Sequence, residues 1–192
     1  MEDAAELSPA EAFGPVLWAL AVEREEPQAA KSSVTGDGAE WICLSWPGQR
    51  NLAADYSPDS EPIVDWYHAC DHLHQAACAL HPESGERAEG WFKGRQDSLF
   101  LGEVQSVTAP LDDAGLPEHA HYFHTHQWRR RCQEFREEGY PIGSGTVESG
   151  IKQFKARLTG PGMRWSRPGV ERMLGVRGAV IGHNFDELWA AA

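Results

Sequence analysis

The stretch PIVDWYHACDHLHQAACALH, residues 62–81, limits the fold more than any other part of the chain. Pro62-Ile63-Val64-Asp65 reads as a short buried strand. From Trp66 the period changes to that of a helix, with Tyr67, Cys70, Leu73, Ala77 and Leu80 on one stripe. A second short strand is expected before Gly36, inside SSVTGDGAEWI (32–42), and the Gly36-Asp37-Gly38 turn ends it. A strand, a crossover and another strand make a parallel pair in an α/β sheet.

The rest of the chain reads mainly as helices. Ser8-Pro9-Ala10-Glu11 is a helix start: a capping serine, a proline at the first helical position and a glutamate three residues after the cap. Phe13, Leu17, Leu20 and Ala21 follow at helical spacing, and Pro15 is expected to kink or delay that helix. Residues 44–62 read as irregular, punctuated by Pro47-Gly48, Asn51, Ser57-Pro58-Asp59 and Pro62. Residues 83–138 read as polar helices broken by Pro110 and by Leu111-Asp112-Asp113-Ala114-Gly115. Tyr140 to Gly145 is a glycine-rich turn, after which Ser144 or Thr146 caps a helix to about Leu158. Val147, Ile151, Phe154 and Leu158 form its apolar stripe, while Glu148, Lys152 and Lys155 share another face. Thr159-Gly160-Pro161-Gly162 ends it. Ser166-Arg167-Pro168 opens a last helix whose core side is Val170, Met173, Leu174 and Val180.

Charge divides the chain unevenly. The net charge is −12 over 192 residues, which alone argues against nucleic-acid binding. Yet residues 1–120 carry 22 acidic and 6 basic side chains, and residues 121–192 carry 7 acidic and 11 basic ones. Between 152 and 177 seven basic residues face Glu171 alone. There is no apolar run of membrane-spanning length, so no membrane partner is expected. The acidic N-terminus lacks the basic and apolar regions of a secretory signal, which makes a cytoplasmic location the expectation. The four cysteines, Cys43, Cys70, Cys78 and Cys132, contain no CxxC and are expected to be free, mostly buried thiols.

Three groups of residues could carry chemistry. Asp37 and Asp65 end the two expected strands, and Glu148 sits in the first turn of a helix. Ligands of parallel α/β sheets gather at the carboxyl ends of strands, and carboxylates there suit hard divalent cations. Against this, an Asp in a Gly-Asp-Gly turn is ordinarily a turn residue, and a Glu in a first helical turn ordinarily serves the helix dipole. His68 and His72, spaced i, i+4, could share a metal ion, and His119, His121, His124 and His126 crowd one short stretch. Surface histidines with one or two satisfied in the core are the plainer account. Last, Arg164-Trp165 and Arg167 interleave cations with an aromatic, as nucleic-acid surfaces do, although a solvated helix face has the same look.

Taken in order, GDGAEWI (36–42), IVDWYHACDHL (63–73) and YPIGSGTVESGIKQFKARLTGPGMRWSRPGVERML (140–174) resemble the later half of bacterial insertion-sequence transposases of the DDE type with a Mutator-like catalytic domain. EAFGPVLWALAVERE resembles the segment that precedes the GDGA motif in that family. The resemblance implies a partial RNase H-like α/β fold over residues 1–82, a helical insertion over 83–139, and C-terminal helices over 140–192 that carry Glu148 and the basic surface. It implies metal-dependent phosphodiester cleavage and strand transfer at double-stranded transposon ends. Asp37 and Glu148 would be catalytic and would hold the divalent metal, most naturally magnesium. Asp65 and His68 match an auxiliary pattern that supports the site. Lys152, Lys155, Arg157, Arg164 and Arg167 would meet DNA phosphates.

The family places a first catalytic aspartate on an earlier strand, and residues 1–36 offer no strand-end carboxylate to match it. Residues 43–60 also depart from the crossover helix expected there. The chain is therefore expected to lack transposase activity by itself and to work, if at all, with an upstream transposase fragment or as a homodimer. Two other classes compete: a non-catalytic DNA-binding or dimerisation module derived from a transposase, and an unrelated metal-binding α/β protein that uses the histidines.

Overall fold

A computed structural model describes residues 10–42, 51–183 and 185–190. In chain order the main elements are α1 (Ala10–Glu23), β1 (Ser33–Gly36), α2 (Leu52–Tyr56), β2 (Glu61–Val64), α3 (Trp66–Leu80), α4 (Gly85–Phe100), α5 (Val104–Asp113), α6 (Pro117–Thr125), α7 (Cys132–Glu137), α8 (Gly145–Leu158), α9 (Arg167–Ile181) and α10 (Phe185–Ala190). The architecture is mostly helical with one two-stranded parallel sheet, an α/β arrangement in the coarse sense. Among the described residues no helix is long and apolar enough to cross a membrane. The chain forms two compact units, Ala30–Ser144 and the combination of Met1–Ala29 with Gly145–Ala192.

The contiguous unit is built on the strand-to-helix stretch. β1 pairs with β2 in parallel, with Thr35 opposite Ile63 and Gly36 opposite Val64. Ile63 and Val64 are almost completely buried. Four helices then form the main core. Ala69, Leu73 and Ala76 of α3 pack with Leu99 of α4, Val104, Val107 and Leu111 of α5, and Ala120 and Phe123 of α6. The expected stripe on α3 has the right period and the wrong phase. Leu73 and Ala77 are buried as expected, but the line continues through Ala69 and Ala76, and Tyr67 is 60% exposed. Alanines bring helix axes close together, and a hydropathy pattern gives them little weight.

Two local expectations are corrected. Pro110 does not break α5, which runs on to Asp113. The missing N–H costs one bond to Ser106, and burial of Val107 and Leu111 on either side holds the turn. The break expected within residues 111–115 does fall there, at Gly115, and another falls at Gly102, both at positive φ, where glycine is the residue without a steric penalty. Within the stretch read as irregular lies α2, capped by Asn51, whose side chain accepts from the Ala54 N–H at 2.9 Å. The Pro47-Gly48 departure lies outside the described residues.

In the other unit α1 runs through Pro15 without delay, with Phe13, Leu17, Leu20 and Ala21 half-buried. The capping role expected of Ser8 lies outside the described residues. The helix expected to end near Leu158 does so, and the Ser166 side chain caps α9 by accepting from the Gly169 N–H. Phe154 and Gly150 are the buried residues of α8, while Val147 and Ile151, expected on its apolar stripe, are 60% and 46% exposed. On α9 the buried pair is Leu174 and Ala179, and Val180 is exposed. α9 is not the last helix, because α10 follows and packs on it.

Candidate functional site

The parallel register sets two carboxylates beside each other. Gly36 and Val64 are paired, so Asp37 and Asp65 each follow the last residue of adjacent strands. The Asp65 N–H donates to the Gly36 carbonyl at 2.8 Å, which closes the ladder at that end. The two residues nevertheless have different surroundings. Asp37 is exposed, and its Oδ1 accepts from the Ala39 N–H at 2.9 Å. Asp65 is 2% exposed and fully engaged. Its Oδ1 accepts from the Tyr67 N–H at 2.7 Å and the His68 N–H at 3.0 Å, capping α3. Its Oδ2 accepts from the Ser144 N–H, and the Ser144 hydroxyl adds a further bond.

Burial alone would raise the Asp65 pKa, but the bonds from Ser144, His68 and Tyr67 together hold it below the usual value. Asp65 is therefore an ionised clamp. It joins the end of β2, the start of α3 and the glycine-rich turn that leads into α8. The same turn is fixed by the Trp66 N–H, which donates to the Ile142 carbonyl at 2.8 Å. Gly143 lies against Tyr67, where a Cβ would come within 2.9 Å of the ring.

A ladder of rings stands next to the carboxylates. Tyr122 stacks on His72 with centroids 3.7 Å apart, His68 meets His72 edge-on at 5.0 Å, and His126 meets Tyr122 edge-on at 4.8 Å. The Tyr122 phenol is pushed up to about 12, mainly by burial, with the charges of Asp37 and Asp65 contributing. His126, 6% exposed, is pushed down to about 3 by burial and by Arg129 and Arg130. His126 is therefore neutral. Its Nδ1 accepts from Arg129 Nη2 at 2.6 Å, and its Nε2 faces Gly38.

That last contact gives a test. Gly38 has φ +99°, and a Cβ there would lie 2.8 Å from His126 Nε2. Gly139 has φ +88° with open space around it. Replacing either by alanine strains the backbone by about 1–2 kcal/mol. Gly38→Ala is expected to cost more in chemical denaturation and to shift the His126 ring resonances. Gly139→Ala is expected to leave those resonances in place. Equal costs and an unmoved His126 would show that the Gly38 contact is not formed.

Each residue expected from the sequence has a definite place. Asp37, Asp65 and His68 lie together in the contiguous unit. Glu148 lies in the first turn of α8 in the other unit, with a half-exposed side chain 3.9 Å from Lys152 Nζ. Lys152, Lys155, Arg157, Arg164 and Arg167 are all exposed, and Arg167 pairs with Glu171 at 2.9 Å. As a metal ligand Asp37 fits, because only one of its oxygens takes part in a described hydrogen bond. Asp65 does not fit, because both of its oxygens are taken by protein donors. Among the described residues no group of three His, Cys, Asp or Glu side chains could hold a metal ion, and the His68–His72 pair has no third ligand. The cysteines divide: Cys132 is buried, Cys70 half-buried and Cys78 exposed, and Cys43 lies outside the described residues. Tyr122, Arg129 and Arg130 were not marked by sequence reasoning. Their only signal was that three arginines follow the crowded histidines.

No protein-family model matches the chain, and no curated protein or solved structure matches it significantly.

Proposed function

We propose that the chain is part of a transposase-type catalytic unit for double-stranded DNA, inactive by itself and completed by a partner that supplies a further carboxylate, with an RNase H-like arrangement around Asp37. The observation that supports this best is the pairing of Gly36 with Val64. It brings Asp37 and Asp65, the acidic residues of two motifs that resemble the DDE family, to neighbouring strand ends. The resemblance makes Asp37 and Glu148 each a ligand for a divalent cation, which would supply an activated hydroxyl and a polarised phosphodiester. Asp65 supports the site as a clamp and takes no part in metal binding. The exposed cations of α8 and the following segment supply contact with DNA phosphates.

A second reading is a non-catalytic DNA-binding module. It is favoured by the exposure of Lys152, Lys155, Arg157, Arg164 and Arg167, whose contact with DNA phosphates needs no metal. One set of measurements separates the two. Duplex binding whose dependence on magnesium or manganese is lost in Asp37→Ala and Glu148→Ala, with no nicking of supercoiled plasmid by the chain alone, supports the catalytic reading. Duplex binding that is indifferent to metal and to both substitutions supports the second.

Both readings share a prediction about the basic surface. The double change Lys155→Glu, Arg157→Glu is expected to weaken duplex binding and to lower the slope of log affinity against log salt by about 2. Glu148→Ala is expected to leave affinity without added metal nearly unchanged. If the charge reversal leaves both affinity and slope unaltered, these residues are a solvated face and both readings lose their DNA contact.

A further inference from the structure

Arg130 is 1% exposed, in a position where a charge ordinarily has a partner of opposite sign. Its Nη2 donates to the Phe123 carbonyl at 2.7 Å, and its guanidinium lies over the rings of Phe123 and Tyr122 at 4.8 and 5.4 Å. Its Nε and Nη1 are buried and donate to nothing among the described residues. The contacts are thus a carbonyl and two ring faces, with no carboxylate. The Tyr122 hydroxyl is also buried without a partner among the described residues. Arg129, 7% exposed, lies alongside with its Nη2 on His126.

We propose that Arg130, together with Arg129, His126 and the Tyr122 hydroxyl, forms a binding site for a phosphate or phosphodiester group beside the carboxyl ends of β1 and β2. Burying an uncompensated cation is costly, and a bound anion removes that cost. The donors match the ligand. Two guanidinium nitrogens and a phenol hydroxyl have no partner among the described residues, and their charge-assisted bonds to anionic oxygens would be of the strong type. Position agrees as well, because His126 abuts Gly38 at the end of β1, where ligands of parallel sheets bind. The local field points the same way. After burial, the neighbouring arginines are what depress His126, and Arg130 is among the groups that depress His72. Asp37 and Asp65 act on Tyr122, whereas Arg130 is lowered by burial and by the neighbouring Arg129. The site goes beyond the transposase reading and does not depend on it.

The experiment uses the full chain and inorganic phosphate, compared with chloride at matched pH and ionic strength. Phosphate is expected to raise the melting temperature of the wild type and to shift the Arg130 Nε and His126 ring resonances. Arg130→Met is expected to abolish the rise and to weaken phosphate binding about tenfold or more, the usual loss for a charge-assisted hydrogen bond. Should Arg130→Met fail to fold, Tyr122→Phe decides. It keeps the ring stack on His72, and it is expected to keep the fold while weakening phosphate several-fold. A short DNA duplex that displaces phosphate from the same resonances identifies a nucleic-acid backbone as the source, and retention of phosphate identifies free phosphate. The proposal is overturned if phosphate stabilises the wild type no more than chloride does. Equal stabilisation of wild type and Arg130→Met, or of wild type and Tyr122→Phe where that variant decides, overturns it too.

Discussion

Asp65→Ala is expected to destabilise the contiguous unit by about 3 kcal/mol. Loss of a helix cap costs about 1 kcal/mol, and a backbone N–H left unsatisfied in a buried site adds about 1–3 kcal/mol. Both losses occur here, because one carboxylate caps α3 through Tyr67 and His68 and holds the Ser144 amide. Asp65→Asn separates them. Asparagine caps helices well and so recovers about 1 kcal/mol. Its amide NH2 faces the Ser144 N–H donor to donor, so the clamp stays broken. Amide exchange reads the difference directly: Ser144 is expected to lose protection in both variants, and His68 in Asp65→Ala alone. The pH dependence has a fixed sign. The folded pKa lies below the ordinary carboxylate value, so the carboxylate's contribution is complete above that ordinary value and is lost as pH falls through the lowered folded one. The stability gap between wild type and Asp65→Asn should therefore close in acid. A gap that is the same at pH 7 and in strong acid would falsify the clamp.

Phe123→Ala is expected to cost more still, about 3–5 kcal/mol, the usual range for removing a fully buried aromatic ring. Phe123 has no exposed surface and lies where α6 meets α3 and α5. Its ring also faces the Arg130 guanidinium, so the substitution removes one of the two rings over that cation. The Phe123 carbonyl remains to accept from Arg130, which confines the loss to the side chain. Urea unfolding is expected to show a lower midpoint with an unchanged slope, because the surface exposed on unfolding hardly alters. A loss below about 1 kcal/mol would mean that the core closes over the gap or that Phe123 does not occupy its centre.

What the residues disclose in advance depends on how local the physics is. β2 and the turn to α3 were legible because Pro62, Ile63, Val64 and Asp65 act on their own segment. The start of α9 was legible for the same reason, since Ser166 and Pro168 cap a helix wherever it packs. The phase of α3 was not, because Ala69 and Ala76 become core residues only when α4, α5 and α6 arrive. Pro110 misled for a related reason: its local penalty is real, and tertiary burial of Val107 and Leu111 outweighs it. At the site, Asp37 and Asp65 could be placed at strand ends from spacing. That Asp65 spends its lone pairs on Ser144, 79 residues away, could not. Nor could Arg130 be picked out of Arg129-Arg130-Arg131. Arg131 pairs with Glu134 near the surface, whereas Arg130 is buried among rings, and nothing local separates them.

The division of the chain into units has a temporal side. Ala30–Ser144 is one uninterrupted length of polypeptide, whereas its companion draws on residues before Ala30 and after Ser144. During synthesis the middle unit has all its parts once Ser144 has emerged, and domains fold as units as they appear. α1 precedes the middle unit and belongs with α8, α9 and α10, which follow it, so its own unit is complete only after they have been made. Its partners are separated from it by a long loop, and closing that loop from an unfolded chain carries an entropic cost that grows with length. Prior folding of the middle unit draws the loop's ends into one body and removes part of that cost. The middle unit is therefore expected to fold before the unit built from the segments on either side of it.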